Sequence, residues 1–201
     1  MNDRLRYTIY LSSAIEHGTP DEEAKTWKEQ VKKELGKPDV GIYDPIEQEI
    51  YKTGRTVKEA CEYLTGLKRG GKWDLFHEQL NKIWWGEVKA DYNRIDMLKL
   101  FRQRALIDGN RKDEFSSWGD EEAVVRSDFI IVYLDKNVKT VGTYREIVRA
   151  YDFNIPVYLI LSNQTKTDAN STLIDMVVQS GGEIFYSVSD CIKFIKEKYN
   201  I

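Results

Sequence analysis

The chain has 201 residues, enough for one domain with an ordinary hydrophobic core or for one domain with an elaboration. Its 30 lysines and arginines nearly balance its 33 aspartates and glutamates, so the net charge is −3. That balance gives no electrostatic reason to expect polymeric nucleic acid or a membrane as a partner. No apolar stretch is long enough to cross a bilayer, and the amino terminus leads into a strand without a signal segment, so we expect a cytoplasmic location.

Cysteine and histidine usage argues against disulfides and metal sites. Cys61 and Cys191 are far apart in the sequence and have no paired spacing, which is typical of free thiols in a reducing compartment. His17 and His77 lie in no ligand spacing such as H-x-x-x-H. We therefore expect no metal.

The amino-terminal strand ends in a candidate ligand segment. Residues 5–12 are mostly apolar and aromatic and predict a strand that carries Tyr10 near its end. Ser12 and Ser13 follow, and their small hydroxyl side chains would let a ligand approach the backbone or bind its phosphate or sugar. An ordinary strand exit explains the two serines equally well.

A second strand is predicted after an amphipathic helix that begins with a capping box at Thr19. This short strand, residues 40–43, ends at Asp44-Pro45. The polar segment that follows contains Gln48 and leaves the sheet on the ligand side if the strands are parallel. A solvated loop is an equally good interpretation of that segment.

The middle of the chain predicts helices rather than strands. A capped helix is expected over residues 56–66, and residues 66–115 form a helical insertion within a single domain that spans residues 1–201. Aromatic residues of the insertion, Trp84 and Trp85 among them, recur at helical spacing. Core packing is the default role for these side chains, and a roof over a pocket or a subunit contact are the alternatives.

The strongest pattern is a strand–helix–strand unit in residues 128–161. Two apolar runs, residues 129–134 and 157–161, show no alternation, as is typical of strands buried on both faces of a parallel sheet. A helical pattern over residues 144–153 joins them into a right-handed crossover. The unit predicts an α/β fold, a flavodoxin-like or Rossmann-like three-layer sandwich with a mostly parallel sheet of about five strands and ligands beyond the strands' carboxyl ends.

Glu146 lies one helical turn beyond that ligand rim and has two interpretations. Thr143-x-x-Glu146 matches a capping box, in which the glutamate reaches back to the amide at the start of its own helix. Alternatively, the carboxylate faces the ligand crevice and serves as a nucleophile or base. The spacing by itself favours the cap.

Three other residues near predicted helix starts have a structural or a functional interpretation. Asp120 begins a short helix, where an acidic side chain stabilises the helix dipole. Trp118 precedes it and is a candidate for stacking on a base. Asn170 is a good cap for the helix that follows it.

Several segments together resemble the nucleoside 2-deoxyribosyltransferase family. They lie at the ends of the first two strands and across the crossover unit: residues 7–12 (YTIYLS), Asp44-Pro45, residues 127–132 (SDFIIV), Gly142-Thr143-x-x-Glu146-Ile147, Ala150-Tyr151 and residues 155–157 (IPV). The resemblance covers roughly residues 6–50 and 118–175, and the insertion departs from the family's compact pattern.

The resemblance implies roles for individual residues. Glu146 stands at the position of the family's catalytic nucleophile, and Asp120, eight residues before Asp128, at that of an aspartate that contacts the leaving base. In the family an asparagine near position 170 reaches the active site of a neighbouring subunit, so we expect a homo-oligomer with shared active sites. The implied substrate-binding residues are Tyr10, Ser12, Ser13, Gln48 (or Glu49, one residue on), Trp118, Gly142, Thr143 and Asn170.

Cleavage of the N-glycosidic bond of a (deoxy)nucleoside or nucleoside 5′-monophosphate is the activity that this resemblance implies. Glu146 would form a covalent glycosyl ester, and the sugar would pass to another base or to water. Asp120 would donate a proton to the leaving base or hold that base. Neither a metal nor an organic cofactor is needed for that reaction. The alternative is a non-catalytic nucleotide-binding module on the same fold, because a fold does not by itself confer activity.

Overall fold

A computed structural model describes residues 3–13, 22–86, 93–135, 141–164 and 169–201. In this part of the chain, strands alternate with helices. The elements are β1 (Tyr7–Ser13), α1 (Glu22–Leu35), β2 (Val40–Tyr43), α2 (Pro45–Thr53), α3 (Val57–Arg69), α4 (Trp73–Trp85), α5 (Arg94–Asp108), a 3-10 helix (Lys112–Ser117), α6 (Asp120–Arg126), β3 (Phe129–Asp135), α7 (Val141–Asp152), β4 (Val157–Ser162), α8 (Ser171–Gln179), β5 (Glu183–Phe185) and α9 (Val188–Tyr199).

The strands form one parallel sheet in the order β2-β1-β3-β4-β5. From β1 the chain crosses to β2 at one edge, whereas from β3 it proceeds to β4 and β5 at the other edge. The carboxyl ends of β1 and β3 therefore flank a topological switch point, which is where open parallel sheets bind ligands. The register places Ser12 beside Val132 at this point.

Helices cover both faces of the sheet and give three layers. On one face, α1 and α9 pack side chains such as Trp27 and Ile192 against the sheet. On the other face, α5, α6, α7 and α8 pack side chains such as Leu98 and Ile147. Because β4 is buried on both faces and β3 along nearly all its length, their sequences show no alternation. The predicted α/β three-layer fold class is confirmed.

A solvated loop is one interpretation of the segment after Asp44-Pro45, but the structure shows that it forms the helix α2. Asp44 is its N-cap and accepts a hydrogen bond from the Ile46 amide at 3.1 Å. Pro45 occupies the first helical position, where its missing N–H costs nothing. Side chains four residues apart, Gln48 and Lys52 for example, therefore lie on one face of a helix.

Two other helix boundaries differ from those expected. The helix predicted from residue 144 begins at Val141, which makes Thr143 the third residue of α7 and not its cap. The helix predicted over residues 56–66 extends to Arg69, with Gly66 inside it. Its capping box forms as expected between Thr56 and Glu59.

The region predicted as an insertion, residues 66–115, contains α4, α5 and the 3-10 helix. Trp85, Phe101 and Phe115 join the same hydrophobic core as the sheet. The division of the chain into one domain with an insertion stays a prediction. None of the helices that the structure describes combines the length and the hydropathy needed to cross a bilayer.

Gly182→Ala should destabilise the fold, whereas Gly66→Ala should stabilise it. A Cβ at Gly182 would lie 1.9 Å from the carbonyl oxygen of Val157, which belongs to the sheet backbone, so we expect a loss of about 1–3 kcal/mol. Gly66 is exposed within α3 with nothing near its Cβ position, and alanine there should add about 0.5–1 kcal/mol. Urea titration measures both changes, and effects of the same sign would contradict this account.

Candidate active site

The Glu146 side chain lies in the second turn of α7 and is held by the sheet. The residue is 6% exposed. Tyr10 donates from Oη to Glu146 Oε1 at 2.7 Å, and Ser12 donates from Oγ to Oε2. Alternate residues of a strand face the same side, so β1 presents both hydroxyls to one helix. The predicted capping box with Thr143 is therefore wrong, because the glutamate's oxygens accept from β1 and Thr143 lies inside the helix.

Burial is the main influence on the ionisation of Glu146. It raises the pKa of the carboxyl to about 7, and the negative charge of Asp120 acts in the same direction. The hydrogen bonds from Ser12 and Tyr10, together with the charge of Lys28, oppose that rise. A carboxyl whose pKa lies near neutrality changes protonation state at ambient pH, which is common at catalytic sites.

Asp120 begins α6 and is paired with a lysine that the sequence pattern did not indicate. Lys52 Nζ forms an ion pair with Asp120 Oδ1, and both side chains are almost fully buried. Tyr43 Oη lies 3.5 Å from the same oxygen and donates to the Trp118 carbonyl oxygen at 3.1 Å. The ammonium group offsets the cost of burying this carboxylate.

Glu49 adds a third acidic side chain and, with Asp120 and Glu146, completes what we call the carboxylate cluster. It lies one turn before Lys52 on α2 and is 8% exposed. Burial raises the pKa of Glu49 to about 7; the charge of Asp120 raises it further and that of Lys52 lowers it. Asp120 thus acts on both glutamates. The described residues include no group of three or more potential ligands arranged to hold a metal ion.

Stacked aromatic rings lie beneath the carboxylate cluster. The ring centroids of Tyr10 and Tyr43 are 5.5 Å apart, and those of Tyr43 and Trp118 are 6.1 Å apart. Burial and the nearby carboxylates raise the pKa of both tyrosines well above the usual range. Both phenols therefore stay protonated and act as hydrogen-bond donors.

Helix α7 is fixed to α6 by Glu121, whose carboxylate is buried. Arg149 Nε lies 2.5 Å from Glu121 Oε2, and Arg145 Nε pairs with Oε1. The Arg145 guanidinium also lies 4.2 Å from the ring centroid of Trp84 on α4. Both arginines are thus paired with one acid.

The end of α4 touches the start of α6 backbone to backbone. A Cβ at Gly119 would lie 2.5 Å from the Gly86 amide nitrogen, and a Cβ at Gly86 would lie 2.8 Å from the Gly119 nitrogen. Gly86 also has a φ of +59°, which residues with side chains rarely adopt. Since Gly119 directly precedes Asp120, α4 fixes the point at which this carboxylate enters the site.

The other predicted site residues differ in their relation to the cluster. Ser13 ends β1 at the switch point, while Gly142 and the buried Thr143 lie in the first turn of α7. Gly142 faces Trp84, since an added Cβ would be 3.5 Å from that ring. Gln48 is half-buried and makes no side-chain hydrogen bond to a described residue. Of the two α2 residues that the resemblance offers, Glu49 is the one on which the charge of Asp120 acts.

Two residues predicted to contact a ligand have structural roles in the described chain. Trp118 is 2% exposed and packs between Tyr43 and Phe115, so the prediction that it stacks on a base is wrong for this conformation. Asn170 caps α8 and accepts from the Thr172 amide at 2.9 Å. Its contact with a neighbouring subunit stays a prediction.

The fold and the site define the class of this protein. It is a parallel α/β protein with buried carboxyls and hydroxyls at the topological switch point. Neither models of known protein families nor curated proteins match the chain. Among solved structures, it is similar to a conserved protein from Enterococcus faecalis V583, with a TM-score of 0.51 and 16% identity over 96% of this chain and 98% of that one. A 2-deoxyribosyltransferase from Bacillus psychrosaccharolyticus is also similar, with a TM-score of 0.44 and 16% identity over 91% and 88% of the two chains. These likenesses concern the fold alone.

Glu146→Gln should make the protein more stable than wild type above pH 7. The folded pKa of about 7 exceeds the ordinary 4.5, so wild type has extra stability below pH 4.5 and loses it as the pH rises through 7. At roughly 1.4 kcal/mol per pKa unit, that loss is on the order of 3 kcal/mol. A neutral glutamine avoids it.

Urea titrations at pH 5 and pH 8 measure this difference. The variant should depend less on pH than wild type, and Glu197→Gln, an exposed change on α9, should keep the wild-type dependence. Equal pH dependence in all three proteins would show that Glu146 is not titrating in this range.

Proposed function

We propose that this protein cleaves the N-glycosidic bond of a nucleoside or a nucleoside 5′-monophosphate, with Glu146 as the nucleophile. One observation carries the proposal: a buried carboxylate at the carboxyl end of a parallel sheet is held by Tyr10 and Ser12 and not by its own helix. A helix cap needs no such support, whereas a nucleophile must be held in one orientation.

In the first step, the ionised Glu146 attacks the anomeric carbon of the sugar. A bond forms from a glutamate oxygen to that carbon while the carbon–nitrogen bond to the base breaks, through a transition state of oxocarbenium character. The Tyr10 and Ser12 hydroxyls hold the carboxylate in line during attack. In the second step, another base or water displaces the glutamate, which gives transfer or hydrolysis.

Asp120 is suited to holding the base. Its ion pair with Lys52 fits it for accepting hydrogen bonds from a base amino group rather than for donating a proton. The Tyr43 ring stacks on Tyr10, which donates to Glu146, and the Tyr43 hydroxyl lies 3.5 Å from Asp120. Tyr43 therefore links Asp120, which would hold the base, to Glu146, the nucleophile. A small molecule, not a polymer, fits the near-neutral charge of the chain.

Glu146→Gln should abolish release of free base while leaving nucleoside binding intact. Wild type and variant are incubated with a panel of nucleosides and 5′-monophosphates, with and without a free acceptor base, and the products are separated by chromatography. We expect the rate to fall by roughly 10³-fold or more. In wild type, intact-mass measurement after acid quenching should detect one sugar bound to the protein, and Glu146→Gln should show none.

The exposed change Glu197→Gln is the matched control and should keep wild-type activity. Wild-type protein that binds nucleotides but never yields base would favour the non-catalytic binding module. Full activity in Glu146→Gln would assign the chemistry to another residue.

Tyr10→Phe should slow base release by about 10- to 100-fold, because a hydrogen bond to a charged group is worth about 1.5–3 kcal/mol. It should also shift the pH profile. Since Glu146 reacts when ionised, the acid side of the wild-type kcat/KM profile should rise as the pH approaches about 7. In wild type, the hydrogen bond from Tyr10 lowers the pKa of Glu146. Without that bond the pKa is higher, so kcat/KM of the variant should rise at a higher pH.

Tyr158→Phe, which removes a hydroxyl bonded to Tyr199 under the other face of the sheet, is the control and should leave the profile unchanged. An unshifted profile in Tyr10→Phe would mean that its hydroxyl does not act on the titrating group.

A further inference from the structure

Glu49 differs from the other buried carboxylates of the described residues. It makes no side-chain hydrogen bond or ion pair there, although it is 8% exposed. Each of the others has at least one partner: Asp44 pairs with Lys28, Asp120 with Lys52, Glu121 with Arg145 and Arg149, Glu122 with Arg126, and Glu146 with Tyr10 and Ser12. The Glu49 oxygens are not among the fully buried side-chain atoms without a partner, so this largely buried side chain keeps its carboxyl oxygens in reach of solvent.

Two charged side chains and one phenol act electrostatically with Glu49. Asp120 on α6 acts on it with a negative charge, and Lys52 on α2 acts with a positive one. Tyr43 on β2 is close enough that the charge of Glu49 raises the pKa of its phenol. The ammonium of Lys52 is paired with Asp120, and no other described residue supplies Glu49 with a cation. Burial raises the pKa of Glu49 to about 7.

The groups around Glu49 are poor proton donors at neutral pH. Burial and adjacent carboxylates raise the pKa of Tyr10 and Tyr43 well above the usual range, so both phenols are weak acids. Asp120 accepts from Lys52, whose other hydrogen bond among the described residues is to the carbonyl oxygen of Ile83 and whose ammonium lies 5.4 Å from the ring centroid of Tyr43. Among the described residues, Glu49 and Glu146 are the carboxyls whose pKa the charge of Asp120 raises. Since Glu146 is the proposed nucleophile, Glu49 is left to carry a transferable proton.

We propose, on the basis of the proposed function, that Glu49 is the acid–base catalyst that protonates the leaving base. As the carbon–nitrogen bond breaks and the Glu146 ester forms, the Glu49 proton moves to a ring nitrogen of the base and leaves Glu49 ionised. In the second step, the acceptor base or water gives its proton to Glu49 as its own bond to the sugar forms and the ester breaks. Both carboxyls thereby return to their starting states.

This assignment requires opposite protonation states in two glutamates that share Asp120 as a neighbour. Glu146 must be ionised and Glu49 protonated when the substrate binds. The kcat/KM of wild type should therefore rise and then fall, with a maximum near pH 7 where both conditions are met.

Glu49→Gln tests the assignment, because glutamine keeps the volume and the hydrogen-bonding capacity but has no proton to transfer. With the nucleoside that wild type uses best, we expect the first-step rate to fall by about 10²- to 10⁴-fold. With the 4-nitrophenyl glycoside of the same sugar, whose leaving group departs as a stable anion, the first turnover should stay within about tenfold of wild type. The alkaline fall of the pH profile should disappear.

Azide provides a second readout, since this anionic nucleophile needs no base to remove a proton. It should restore turnover of the 4-nitrophenyl glycoside by Glu49→Gln and yield the glycosyl azide. Glu47→Gln, an exposed change on the same helix, is the matched control and should behave like wild type with both substrates. Thermal unfolding of each variant checks that it is folded.

Equal losses with both leaving groups would overturn the assignment and give Glu49 a positioning role. Unimpaired nucleoside cleavage by Glu49→Gln would overturn it while leaving the proposed function intact. A wild-type protein that releases no base from any substrate would overturn the proposed function, and the acid–base role with it.

Discussion

The carboxylate of Glu146 can be buried only because two hydroxyls of β1 donate to it. A buried charge without partners is strongly disfavoured, and the helix itself supplies none to this residue. The arrangement depends on Tyr10 and Ser12 lying two residues apart on one face of the strand, and on α7 beginning early enough to carry Glu146 over them. A slip of one residue in β1 would turn both hydroxyls to the opposite face of the sheet.

The charge balance around Glu146 follows from the same burial. One ammonium group, that of Lys52, is paired with Asp120, and two further carboxyls lie within the influence of that aspartate. A second buried lysine, Lys28, is paired with Asp44, and its positive charge opposes the rise in the pKa of Glu146. Where buried carboxyls outnumber cationic groups, the pKa of some carboxyls rises toward neutrality. One carboxyl can then be protonated and act as an acid while another is ionised and acts as a nucleophile.

The sequence predicts those parts of the fold that depend on apolar runs. The buried strands β3 and β4, the crossover between them and the three-layer class all follow from residues 128–161, while the grouping of Glu146 with Tyr10 came from resemblance rather than from periodicity. Lys52 and Tyr43 were not foreseen, because a partner for Asp120 is chosen by tertiary packing over 68 residues of chain. A signal for α2 existed: Asp44-Pro45 is a helix start, and it places Glu49 and Lys52 one turn apart.

The contact between Gly86 and Gly119 has a mechanical consequence. With no side chain between the two backbones to absorb displacement, a tilt of α4 is passed directly to the first residue of α6, which is Asp120. The far end of α4 carries Trp73 and Leu75 exposed to solvent, some distance along the chain from the cluster. The position of Asp120 at the switch point therefore depends on the placement of α4 as well as on that of α6.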